Sequence, residues 1–399
     1  MKKLIILLLV LLLSGCNNSW QRIFVDVDSS TKNYGVWLSY LDINEMLKGK
    51  SESEYQENVQ TMMANLESLG INRIYAQVSM FTDAIYDSAY YPWSRYASGT
   101  VGKALDYDPL EILISEAQLR QIQVEAWINP LRSFTQKEMD KLSNEYVVKQ
   151  WHDNDDLKNK NLMLVEDRYY LNPGSEDVVQ LINQVVEELC STYKISGIHI
   201  DDYFYPTPMK DDLDELTYVE YLQEHPEISV DDYRRAMSDR LVSSMYKIIK
   251  NTNHNLVFSI SPSANIDTNY HTYYADVIKW TKENGYCDIM IPQVYFGFEN
   301  ESMPFEEIVD QWNALVGNKV GIIYGLAAYK VGEEDAYAVS GKYEWQDNVD
   351  ILARQVEYVK NKSHYSGIAL YRYYSIFYPS QENKQQMKLE LAKLKEVLN

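Results

Sequence analysis

Apolar positions along this chain fall into short, nearly unbroken runs, separated by longer stretches with a helical repeat. The runs cover residues 34–40, 71–79, 122–129, 195–201, 256–261, 288–295, 320–326 and 367–372. Most are continuously apolar and β-branched rather than alternating, which marks strands buried on both faces of a parallel sheet. Between them, apolar residues recur at helical spacing over 54–69, 109–120, 175–190, 230–250, 273–283, 304–316, 347–360 and 382–398. Asp108-Pro109 and Asn172-Pro173 each place a capping side chain before a proline suited to the first helical turn. Eight strand–helix units predict an α/β protein with a single (β/α)8 TIM barrel. A doubly wound sheet competes with it, but rarely carries eight such units in one domain. Connection lengths sharpen the choice. Helix-to-strand links are short, as at 68–70, whereas 80–107, 130–172, 202–229 and 327–346 follow strands and are long. The elaboration therefore sits on one face, the face where barrel enzymes build their sites.

The pattern differs at the N-terminus. Lys2-Lys3 precede ten aliphatic residues, Leu4 to Leu13, a stretch too short for a bilayer, which needs about 20. This is the core of a signal peptide. Leu13-Ser-Gly-Cys16 resembles the bacterial lipobox, so Cys16 is the expected lipidation site and the mature N-terminus. The expected layout is a lipoprotein signal peptide over 1–15, a lipidated cysteine and flexible tether over 16–33, and the barrel over 34–399. Such a chain is exported and lipid-anchored to the cell membrane or outer membrane, without spanning it. Losing residues 1–15 removes two lysines and moves the net charge from −21 to −23. A domain this acidic repels nucleic acid and anionic surfaces and works against a polyanionic substrate. Cys190 and Cys287 are expected as two separate buried thiols. No phosphate loop, Ser-His-Asp arrangement or metal-ligand spacing stands out, so no cofactor and no metal are expected. A monomer is the expected state.

The chemistry concentrates after the fourth run, in Gly197-Ile-His-Ile-Asp-Asp-Tyr-Phe-Tyr-Pro206. A strand that stops on Asp201-Asp202 exposes carboxylates at its C-terminal end, beside aromatic rings able to stack on sugars. Glycosidic cleavage needs two carboxyl groups, one protonated and one ionised. Strand side chains alternate, so if His199 and Asp201 point inward, Asp202 belongs to the loop lip. Asp201 is expected as the central catalytic carboxylate, with Asp202 as its partner or an orienting group. Glu125 shares a face with Trp127 and Asn129 but lies deeper, where a buried, salt-bridged Glu is the expectation. Asn129 is better placed and cannot titrate. Gln77, Asn129, Arg132, Gln293 and Tyr324 fall at or just past strand ends, where their polar groups suit sugar hydroxyls. Arg132 could instead hold Asp201 ionised. Trp93, Trp127, Tyr203, Tyr205 and Tyr295 are candidates for an aromatic groove. His199 is a candidate binding residue, with a hydrogen-bonded barrel histidine as the plainer reading.

The motifs together resemble a known family. They are Tyr75-Ala-Gln-Val78, Tyr91-Pro-Trp-Ser94, Tyr107-Asp-Pro-Leu110, Glu125-Ala-Trp-Ile-Asn-Pro130, Leu171-Asn-Pro-Gly174, the 197–206 segment, Ser259-Ile-Ser-Pro262 and Ile291-Pro-Gln-Val-Tyr295. In order and spacing the chain is similar to the bacterial glycosyl-hydrolase-like family 10 lipoproteins across residues 34–379. The resemblance implies a TIM-barrel glycosidase, with relatives acting on peptidoglycan glycan strands. Chitinase-type barrels carry Asp-x-Asp-x-x-Glu on strand four. Here Tyr203 falls near that Glu, which argues against acetamido-assisted chemistry in its usual form. The expected function is hydrolysis of a cell-wall glycan, peptide-free peptidoglycan strands foremost. The alternatives are a glycosidase for environmental polysaccharide and a non-catalytic glycan-binding lipoprotein.

Overall fold

A computed structural model describes residues 33–317 and 320–398 of the chain. Eight parallel strands close into a barrel in chain order: β1 (Asn33–Leu38), β2 (Arg73–Ser79), β3 (Gln123–Ile128), β4 (Gly197–Ile200), β5 (Val257–Ile260), β6 (Ile289–Met290), β7 (Gly321–Leu326) and β8 (Tyr365–Leu370). The helical segments expected between them form, and the long loops all leave the C-terminal ends of strands. The fold is a (β/α)8 barrel. Cys190 and Cys287 are both free and buried. The leader, Cys16 and all of the tether except residue 33 lie outside the described residues.

Parity organises the barrel. Even-numbered strand residues such as Val36, Ile74, Ala126, Ile198, Phe258 and Ile368 join the apolar layer under the helices. Odd-numbered residues point inward, where Trp37, Tyr75, Trp127, Ile291, Ile323 and Ala369 pack together. Large rings fit because small residues face them. A Cβ on Gly35 would stand 2.6 Å from the Tyr75 ring, and one on Gly325 would stand 3.0 Å from Trp37.

The lower interior is polar. Arg73 forms a fully buried ion pair with Glu125 and also binds Asn33 and Gln123. Glu125 accepts the Ser259 hydroxyl, and Ser259 lies 2.7 Å from Nδ1 of His199. Nε2 of His199 accepts the Trp37 indole N–H at 3.0 Å. An indole can only donate, so the imidazole proton sits on Nδ1 and runs toward Ser259. Burial and the Arg73 charge hold His199 neutral, with its pKa lowered to about 3.

Three sequence expectations fail for local reasons. The run 288–295 pairs as a ladder only over β6, because Pro292 has no N–H to donate; beyond it, Gln293 makes isolated bridges to Ser263 and Gly325. The helix expected from 273 begins at Val277, capped by Asp276, since Tyr274 takes a positive φ of 53°. The segment 130–172, expected as a loop, folds into a three-stranded antiparallel sheet of Arg132–Thr135, Leu162–Val165 and Arg168–Leu171. Each of these strands is only four residues long, too short for its apolar pattern to identify it.

Removing one member of a fully buried pair strands the other's charge. Glu125→Gln is expected to cost about 3–5 kcal/mol of unfolding free energy, measured by urea denaturation. The double variant Arg73→Met/Glu125→Leu should lose less than the single one. A larger loss in the double variant would show that the pair is a net stabiliser rather than a mutual obligation.

Candidate active site

Strand β4 carries its inward parity one residue past the ladder, which turns Asp201 into the barrel mouth above His199. Three donors converge on this carboxylate. Trp127 Nε1 donates at 3.2 Å, Asn129 Nδ2 lies 2.6 Å from both oxygens, and the Tyr203 backbone N–H donates at 3.1 Å. The Asn129 amide is itself oriented. Its oxygen accepts Gln77 Nε2 at 2.5 Å, and Gln77 Oε1 accepts the Tyr40 backbone N–H at 2.8 Å. A fixed backbone donor thus sets two carboxamides in turn, so that an N–H and not an oxygen faces Asp201. Asp202, the next residue, is half-buried at the lip and interacts with the Gln293 carboxamide. Gln293 also donates to the Ser261 carbonyl at 2.9 Å.

The electrostatics follow from this crowding. Burial first, then the Asp202 charge, push the Asp201 carboxyl up to about 7, against Asn129, the Tyr203 N–H and Arg132. Burial also raises Asp202, against Gln293 and Arg132. Neighbouring carboxyls raised in this way titrate as a pair. A pair of carboxyls raised in this way is suited to offer an acid and a carboxylate together, the combination that glycosidic cleavage requires. His199 has both nitrogens engaged and no path to a substrate.

The structure sorts the remaining candidates. Trp127, Asn129 and Gln77 are brought together, as orienting groups around Asp201. Tyr203 is 47% exposed and lies over the Arg132 guanidinium at 4.1 Å. Arg132 makes no ion pair with Asp201; its charge acts from beside Tyr203. Tyr295 packs at the mouth with Trp37, Tyr329 and Tyr371, ring centroids 5.7–6.4 Å away. Tyr329 continues this wall into a cleft of about 370 Å³, shared with Arg372, Tyr374, Tyr378 and Asn383.

Four expected binding residues lie elsewhere. His199 belongs to the barrel floor. Tyr324 has even parity and is fully buried under the helices. Tyr205 packs with Met163 and Tyr274 and pins the loop after β4. Trp93 is buried and bridges Ala84, closing the loop after β2. Glu125 is the buried, salt-bridged residue expected of it, and Asp83 caps its own loop by accepting the Met80 and Phe81 N–H groups. Sequence reasoning missed Trp37 and Tyr329. Odd parity on β1 could have found the first; Tyr329 lies on an irregular loop with no such signal. Among the described residues no group of His, Cys, Asp and Glu could hold a metal ion.

A parallel barrel with a buried carboxyl pair at its C-terminal mouth and an aromatic wall beside it defines a glycoside hydrolase of the barrel class. The chain belongs to the glycosyl hydrolase-like 10 family, whose model matches residues 32–343. It is 29% identical over 386 residues to the glycosyl hydrolase YngK of Bacillus subtilis, covering 92% of this chain and 74% of that protein. It is 28% identical over 377 residues to the glycosyl hydrolase DigH of Escherichia coli, covering 86% and 83%. In fold it is similar to the PgaB (BpsB) glycoside hydrolase domain of Bordetella bronchiseptica. There the TM-score is 0.56 at 14% identity, over 92% of this chain and 99% of that domain.

A raised carboxyl keeps its proton to higher pH, so the pair holds its acid below about 7 and loses it above. The expected kcat/KM falls about tenfold per pH unit on that alkaline side. Asp202→Asn removes the neighbouring charge and should lower the Asp201 titration midpoint, followed by carboxyl ¹³C NMR. An unmoved midpoint would show that the two carboxyls are not paired.

Proposed function

We propose that this glycoside hydrolase cleaves peptide-free peptidoglycan strands, and that lipid on Cys16 holds it at the membrane beside that polymer. The observation that carries the reading is the Asp201–Asp202 pair at the C-terminal end of the barrel, with aromatic side chains beside it. Tyr203 offers one face, and the wall of Tyr295, Tyr371 and Tyr329 continues into the adjoining cleft. Tethering supports the wall as substrate, because a lipid anchor confines the barrel to within the reach of its linker. The motifs shared with the family, the 197–206 segment above all, carry the same implication of glycan strands. No helix among the described residues is long and apolar enough to cross a membrane, so membrane attachment is assigned to the N-terminus.

In the reaction, the protonated member of the pair assists departure of the glycosidic oxygen. The ionised member faces the positive charge that develops at the anomeric carbon. Gln77 and Asn129 hold Asp201 in place without exchanging protons themselves.

The test uses the full chain, detergent-extracted from its exporting host, with peptide-free strands, intact sacculi and chitin oligomers. Mass spectrometry should show fragments gaining one water from peptide-free strands. Asp201→Asn should reduce kcat at least 10²–10⁴-fold, the usual weight of proton transfer, with an unchanged circular dichroism spectrum. Turnover of chitin oligomers or sacculi alone would replace the proposed substrate. In parallel, Cys16→Ala should move the protein from the membrane fraction to the soluble one; unchanged membrane retention would end the lipid-anchor reading.

A further inference from the structure

The described part of the chain contains ten arginines, and eight of them have a carboxylate partner: Arg73, Arg95, Arg120, Arg234, Arg235, Arg240, Arg354 and Arg372. The two without one, Arg132 and Arg168, stand side by side at the barrel mouth. Both come from the sheet after β3, where strand Arg132–Thr135 pairs with strand Arg168–Leu171. Both guanidiniums press on the Phe81 ring, at 4.8 and 4.4 Å from its centroid. Arg132 is also stacked on Tyr203, one residue past the catalytic pair.

Their donors are under-used. The Arg132 side chain makes no hydrogen bond among the described residues, and its Nε is buried without a partner. Arg168 donates Nη1 to the Ser133 carbonyl at 2.6 Å and to no carboxylate. The nearby acid, Glu138, is already paired with Arg95. In a chain with 58 acidic and 37 basic residues, two adjacent unpaired arginines are a departure from its own pattern. Stacking by the face leaves the planar fork of N–H donors free at the edge, the geometry that binds a carboxylate in two places.

We propose that Arg132 and Arg168 form a subsite for a carboxylate borne by the sugar next to the cleaved bond, and specifically for the lactyl carboxylate of a peptide-free wall strand. The proposal rests on the wall-glycan reading above and deepens it. In intact peptidoglycan the lactyl group ends in a neutral amide to the peptide. Once the peptide is removed it ends in a carboxylate. A cationic subsite therefore distinguishes the two strand forms by charge, at a position the stem peptide would otherwise occupy. It also answers the chain's net charge of −21, which opposes an anionic polymer everywhere except at a local cationic pair.

The test compares peptide-free strands with the same strands after carbodiimide coupling to methylamine, which neutralises the lactyl carboxylate and leaves the glycan intact. Binding to the full-chain Asp201→Asn variant is measured by calorimetry, and turnover by the unmodified protein is measured in parallel. The acid strands should bind about tenfold to a hundredfold more tightly than the amidated ones, the range of one charge-assisted hydrogen-bonded contact. Arg168→Gln and Arg132→Gln should each bring this acid-to-amide ratio toward one, and Arg132→Lys should restore part of it. A merely structural role would weaken both strands alike and leave the ratio unchanged. If Arg132→Gln fails to fold, Arg168→Gln carries the test alone.

Equal binding of acid and amidated strands overturns the subsite, whatever the turnover. Charge-selective binding with no cleavage of either strand upholds the subsite and overturns the hydrolytic reading. Selective binding of uronate oligosaccharides in place of wall strands overturns the lactyl assignment.

Discussion

The barrel depends on one buried charge pair, Arg73 with Glu125. Taking two ions fully out of water is tolerable only when each finds its complement and the remaining donors are satisfied. Here the remainder runs through Ser259 to His199 and on to Trp37, tying β1, β2, β3, β4 and β5 from within. The direction of that chain has a chemical consequence above it. It fixes His199 as a neutral acceptor toward Trp37, so the most obvious titratable group beneath the mouth is excluded from proton transfer. The acid role proposed for Asp201 and Asp202 therefore rests on their own burial and mutual repulsion, not on a base below.

Acidic residues serve a second purpose at the mouth. Asp42 accepts the Ser39 and Tyr374 N–H groups and the Arg372 guanidinium. Glu344 takes the Phe298 and Glu299 N–H groups, and Glu390 takes those of Ile351 and Leu352 at the start of a helix. Hydrogen bonds to such side-chain acceptors contribute about 0.5–1.5 kcal/mol each, enough to hold a loop or cap a helix. Asp42, Glu344 and Glu390 thus serve as internal bracing. Loops held this way present a groove that is already formed, which lowers the ordering cost of binding a long glycan.

The barrel was legible because parallel strands under helices are continuous apolar runs, and the long loops all fell after strands. Asp201 was legible for the same reason: alternation from His199 put it at the mouth. Parity also held the answer for Tyr324, which follows Ile322 and precedes Leu326 on the outward face, yet its place near a strand end drew it into the site. Tyr205 and Trp93 misled differently. An aromatic on a loop is a candidate platform or a loop anchor, and only the packing partner decides between them. Arg168 gave no signal at all, because it reaches the mouth through a hairpin of four-residue strands, turned at Glu166 with a φ of 55°.

The position of Arg132 resolves what would otherwise be a conflict within the site. A guanidinium bonded directly to Asp201 would hold that carboxyl ionised and take away the proton that the pair needs. A guanidinium removed to a distance would leave the proposed anionic strand facing only acids. Stacking on Tyr203 and Phe81 meets both demands. The rings desolvate the face of the cation and fix its plane, while Asn129 and Trp127, which carry no charge, occupy the Asp201 oxygens. The acid pair thus keeps a proton near neutrality within reach of a cation whose edge donors remain open.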